Sequence, residues 1–277
     1  MPPKTPNEPG ESERTNDVRT SRRTVLTWSA GVLSAVGLSR LDVGGHASVA
    51  ARSDDGTNAA TTFTVRIENV SKPTTLETSA NGDAGEQPIP LSPGAYAVHD
   101  EPAPMFTAGE PARDNGLEAL AEDGVPMELA SSLSERMGVS DSGAFDTPVG
   151  ADEPGPLGPG DAYEFSVDAS PGERLSFATM FVQSNDLFYA PDDRGVALFD
   201  EEEPLDGDVT IAVDLWDAGT ERNEEPGLGE NQAPRQSGPD TGPSEDEPVR
   251  LVTDVGDGYA YPHTSEVIRV TRTPEMS

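Results

Sequence analysis

Val209-Thr210-Ile211-Ala212-Val213-Asp214-Leu215-Trp216 runs straight into Asp217-Ala218-Gly219-Thr220-Glu221. The first part has the period of a half-buried strand, which places Val209, Ile211, Val213 and Leu215 on one inward face. The second part is a polar turn carrying two acids. The same logic extends outward along the chain. Phe63 to Val70 alternates, with Phe63, Val65 and Ile67 on one face. Tyr163 to Val167 alternates as well, and the turn Asp168 to Glu173 follows it. Leu175 to Val182 is apolar nearly throughout, as a strand covered on both faces would be. Val267 to Thr271 closes the series. Helical spacing appears in one early stretch only. Leu117, Leu120 and Ala121 share a face of Asn115–Glu122, and Leu129, Leu133 and Met137 recur in Pro126–Met137. Gly124 and Gly138 are the expected stops. Leu91 to Gly94 reads as a turn before a short strand, Ala95–His99. Lys72–Pro90, Gly143–Gly160 and Glu221–Pro248 read as loops. Strands joined by turns, with helices confined to one insertion, predict a mainly β chain: an antiparallel β-sandwich with short helices in an early insertion.

Composition limits what such a domain can do. The chain has 18 Lys+Arg against 51 Asp+Glu, a net charge of −33. Only Lys4 and Lys72 are lysines. In molar salt the Debye length falls to roughly 3 Å, so this self-repulsion is screened; in dilute buffer it would push the fold apart. The pattern fits a protein of a salt-loving organism and argues against a nucleic-acid partner, which needs basic patches. High charge with few aromatics is also the signature of disorder, but the apolar residues are bunched into strand-like runs. Without cysteine there are no disulfides, thiolate metal sites or cysteine-linked lipid.

Residues 1–50 differ in kind. A polar leader is followed by Ser21-Arg22-Arg23-Thr24-Val25-Leu26, a weak apolar run to Leu38, and small residues at Ala47-Ser48-Val49-Ala50. Paired arginines, a modest apolar stretch and a small-residue exit form a twin-arginine signal peptide, which carries folded proteins. The run falls short of the ~20 residues a membrane helix requires, so no stable membrane span is expected after signal removal. The expected organisation is signal peptide 1–50, polar linker 51–61, sandwich 62–272 and tail 273–277. The expected location is extracellular or cell-surface. Asn69-Val70-Ser71 is an N-glycosylation sequon at a strand end.

Two acidic segments follow strong strands: Ser184-Asn185-Asp186-Leu187-Phe188 and Trp216 to Glu221. With those strands as neighbours, Asp186, Asp217 and Glu221 converge on one end of the sandwich. Carboxylates there suit Ca2+, a hard ion that takes oxygen ligands. A solvated acidic surface is the competing account in so acidic a chain.

These two segments resemble the spondin N-terminal domain of F-spondin and mindin. Phe63–Ser71, Leu91–Gly94 with His99, Gly116–Gly124 and Val267–Thr271 resemble further family segments in the same order, so the resemblance covers roughly 62–272. It implies a β-sandwich with a calcium ion at one end, metal ligands Asp186, Asp217 and Glu221, and a role in extracellular interaction or adhesion, with an extracellular protein or surface glycan as partner. Asn185, Leu187 and Glu221 stand where the family has Pro, Trp and Asp.

Catalysis finds little footing. Of His46, His99 and His263, the first lies in the signal segment, and His99 reads as a packed histidine. Ser184 has no evident base, and no Gly-x-Ser-x-Gly element occurs. The expected function is a non-enzymatic, secreted, calcium-binding interaction domain. The alternatives are a secreted hydrolase of a surface polymer, built on an acid pair, and a structural envelope protein without specific metal.

Overall fold

In the computed structural model, residues 60–275 apart from 83, 84 and 103 are described. The export signal, His46 and most of the linker lie outside the described residues. The chain folds mainly as antiparallel strands. The chief ones are β1 (Thr61–Asn69), β2 (Leu91–His99), β3 (Val139–Phe145), β4 (Ala162–Ala169), β5 (Arg174–Phe181), β6 (Leu187–Pro191), β7 (Val213–Asp217) and β8 (Ile268–Pro274). The helices α1 (Leu117–Asp123) and α2 (Met127–Ser134) lie between β2 and β3.

Two sheets result. The smaller runs β8-β1-β4, with Gly207–Asp208 added beside β8. The larger runs β7-β6-β5-β2-β3, with Arg250–Leu251 beside β7. The strand β5 is interior, as its mostly apolar sequence predicts. The alternating residues Phe63, Val65 and Ile67 are buried with Leu175, Phe177 and Tyr189 in one apolar core. The opposite face of the larger sheet is also covered: Ala97, Ala178, Phe188 and Trp216 pack with Leu117, Leu120 and Leu129 of the helices. The helical insertion is therefore a third layer. Phe106 packs into it, 5.4 Å from the Phe188 ring and 5.0 Å from Trp216. Among the described residues no helix is long and apolar enough to cross a membrane.

Three expectations need correction. Thr210–Ala212 is a 3-10 turn, not strand, so the period breaks there. Val209 is buried, Ile211 is 98% exposed, and β7 starts at Val213. Leu91–Gly94 is not a turn: it opens the nine-residue β2, and the register shifts between Leu91 and Gly94. A side chain at Gly94 would strike the Ala178 carbonyl and the Phe145 ring, so glycine lets β2 lie flat between its neighbours. The stretch Val139–Phe145, partly expected as loop, is an edge strand of the larger sheet.

The Asn69 sequon is closed to sugar in the fold. Asn69 is fully buried. Its Nδ2 donates to the carbonyls of Ile89 at 2.8 Å and Leu157 at 3.0 Å, and its Oδ1 accepts from the Ser71 N–H and hydroxyl.

Candidate metal centre

The two acidic segments do meet. Strands β6 and β7 pair antiparallel with Asp217 opposite Leu187. Asp186, one residue before β6, therefore sits beside the end of β7, and the Ala218 N–H donates to its carbonyl at 3.1 Å. The turn from β5 to β6 is held by Ser184: its hydroxyl donates to the Phe181 carbonyl at 2.6 Å and accepts from the Leu187 N–H at 3.1 Å. This serine braces the turn.

Both aspartates are fully buried. Asp186 Oδ2 accepts from the backbone N–H groups of Thr220 at 2.9 Å and Glu221 at 3.1 Å. Asp186 Oδ1 has no hydrogen-bond partner. Asp217 Oδ2 accepts from Asn223 Nδ2 at 2.6 Å. Asp217 Oδ1 also lacks a hydrogen bond, although Arg250 Nε stands 3.5 Å away as an ion-pair partner. Burial, and then the charge of Asp217, push the Asp186 carboxyl well above the ordinary carboxylate range, against the pull of its two N–H donors. Burial also raises Asp217, with Arg250 and Asn223 opposing. The charge of Glu245 weighs on both aspartates. Two buried carboxylates, each with an oxygen that accepts no hydrogen bond, form an expensive arrangement in a folded interior. A hard divalent cation is the ligand that such an oxygen-only, doubly anionic donor set suits.

Glu221 does not share that geometry. Gly219 takes a left-handed φ of 70°, and a Cβ there would collide with the Glu247 carbonyl, so only glycine makes this turn. The turn aims the N–H groups of Thr220 and Glu221 at Asp186. The Glu221 carboxylate goes elsewhere: Oε1 accepts from the Gly242 N–H at 2.6 Å, and Oε2 from Asn185 Nδ2 at 3.4 Å. The charges that weigh on it are those of Asp240 and Asp123. Of the three acids expected as ligands, Asp186 and Asp217 are brought together. Glu221 is nearby but engaged by its own partners.

Sequence reasoning missed Glu245, Arg250 and Asn223. Arg250 pairs with Glu245 at 3.5 Å and Glu247 at 3.3 Å besides Asp217. All lie in or beside the long loop after β7, where nothing distinguishes one acid from another. Also missed were Glu118, Glu122 and Asp240, whose carboxylate oxygens lie within 4.8 Å of one another. The four-residue spacing of Glu118 and Glu122 on a helix was the available signal.

No protein-family model matches the chain, and no curated protein matches it.

His99 sits elsewhere, at the far end of β2, by a cleft of about 540 Å3 lined also by Arg174, Arg194, Ile211 and Asp214. Its Nε2 lies 2.8 Å from Ser176 Oγ, and its Nδ1 lies 2.7 Å from the Glu101 carbonyl. This resembles a serine–histidine pair, but both residues are buried. A Cβ on Gly195 would stand 2.8 Å from Ser176 Oγ and 2.9 Å from His99 Nε2, so the Gly195 backbone roofs the pair. The pair ties β2 to β5.

Proposed function

We propose that this chain is a secreted calcium-binding interaction domain of the spondin N-terminal type, working at the cell surface of a halophile. The observation that carries the proposal is the buried pair Asp186 and Asp217, each with a carboxylate oxygen that accepts no hydrogen bond, at one end of the larger sheet. Asp186 Oδ1 and Asp217 Oδ1 would hold the ion, with Glu245 the next acid at hand. Bound calcium supplies the positive charge that the pair lacks.

The chain's own residues do the rest. Asp186 Oδ2 anchors the Thr220 and Glu221 N–H groups, and the Glu245 N–H donates to the Thr220 carbonyl at 2.7 Å. The loops around residues 185, 220 and 245 are thereby joined at the site. Neutralising the pair stiffens all three and presents one ordered end of the sandwich to an extracellular protein or a surface glycan. Arg250 serves as a tethered partial counterion to Asp217.

The test is sedimentation of the purified protein with isolated cell envelopes in molar KCl, with calcium or with chelator. Calcium-dependent co-sedimentation that Asp186→Asn abolishes is the expected result. Equal binding by wild type and variant under both conditions would refute the proposal.

A further inference from the structure

We propose that Glu118, Glu122 and Asp240 form a second calcium site, distinct from the Asp186–Asp217 pair. Glu118 and Glu122 are four residues apart on α1 and so share one helix face. That face is fixed because Leu117, Leu120 and Ala121 on the same helix are buried. Asp240 arrives from the long loop after β7. The loop is docked on α1 by Gln236 Nε2, which donates to Asp123 Oδ1 at 2.6 Å. It is also held by the Gly242 N–H on Glu221. The three carboxylates offer oxygens within 4.8 Å of one another.

Like charges four apart on a helix repel, and a third acid from a distant loop adds to the repulsion. A chance gathering of acids would leave each in water. Here Glu122 is only 3% exposed, and its Oε1 is buried with no hydrogen-bond partner. A buried, unpartnered carboxylate oxygen among two further carboxylates is what a cation would satisfy. All donors are carboxylate oxygens and none is nitrogen or sulfur, which selects a hard ion. The exposed Glu118 and Asp240 leave room for the waters and larger coordination number of Ca2+.

The position also explains Glu221. Its charge weighs on Glu122, and its carboxylate is pinned by the backbone two residues beyond Asp240. It thus borders the second cluster and tightens the loop that delivers Asp240. Thr220 belongs to the first site, where its hydroxyl donates to Asp186 Oδ2 at 3.4 Å. The second site stands whether or not the aspartate pair holds an ion.

The test is a count of bound calcium on the full chain by equilibrium dialysis against radioactive calcium in molar KCl, which competes away loosely held ions. Wild type is expected to hold two ions. Glu118→Gln and Asp240→Asn, at exposed positions where folding is little affected, should each hold one. Asp186→Asn should also hold one, having lost the other. A single ion lost in Glu118→Gln but kept in Asp186→Asn supports this site and removes the one proposed above. Wild-type stoichiometry in both Glu118→Gln and Asp240→Asn, or no ion on the wild type, overturns the second site.

Discussion

Asp186→Asn should reverse sign with calcium. In the variant, the side-chain oxygen can still accept the Thr220 and Glu221 N–H groups, now at 2.9 and 3.1 Å from Oδ2. Above about pH 8, where the wild-type carboxyl is ionised, the amide removes a buried charge that Asp217 and Glu245 oppose. In chelator the variant should therefore be more stable than wild type, by about 1–3 kcal/mol, the range for an uncompensated buried polar group. In a domain of 150–250 residues, 1 kcal/mol moves Tm by roughly 2–4 °C, so the gain is roughly 2–12 °C. Calcium at about a hundred times its Kd stabilises by about 2.7 kcal/mol, or roughly 5–11 °C, and only where the ligand is intact. Thermal melting by circular dichroism in molar KCl reads both effects. Wild type should rise with calcium and the variant should not, while the variant should lead in chelator. A variant that melts below wild type in chelator, or that gains as much from calcium, would refute the reasoning.

Removing Arg250 with Arg250→Ala leaves Asp217, Glu245 and Glu247 without their shared cation. It should cost about 1–3 kcal/mol in chelator and markedly less with calcium, by denaturant titration. Gly219→Ala forces a Cβ onto the Glu247 carbonyl at a φ of 70°. It should lower stability by at least 1–2 kcal/mol and weaken calcium binding in the same titration. Burial raises Glu122 to about 8 from an ordinary 4.5. Between those values the folded state carries a proton that the unfolded state has released, so stability falls as pH rises through this window. Calcium bound near pH 6 should then displace protons and restore stability, with the release fading above about pH 8. Calorimetry in two buffers of different ionisation heat measures that release.

The legible parts of the fold were those with an unbroken period. Phe63, Val65 and Ile67 could be placed inward because nothing interrupts the alternation, and β5 could be placed centrally because its sequence is mostly apolar. Val209 to Trp216 misled because a 3-10 turn at Thr210–Ala212 shifts the phase while keeping apolar letters at alternate positions. β3 was hidden because Ser140, Asp141, Ser142 and Gly143 lack apolar side chains, although pairing with β2 makes them an edge strand. At the site, Asp186 and Asp217 were legible because each abuts a strong strand and the two strands pair. The direction of Glu221 was not, since it depends on the left-handed turn at Gly219 and on Gly242, twenty-one residues away. Glu122 was hidden in the same way: its burial comes from tertiary packing, while its sequence context is that of a solvated helix face.

The central claim is that the aspartate pair holds calcium. Anomalous diffraction from crystals grown in molar KCl with calcium tests it most directly. The account predicts an ion bound by Asp186 Oδ1 and Asp217 Oδ1 at about 2.3–2.6 Å within a shell of six to eight oxygens. An ion-free pair at saturating calcium, with Arg250 still on Asp217, would contradict it.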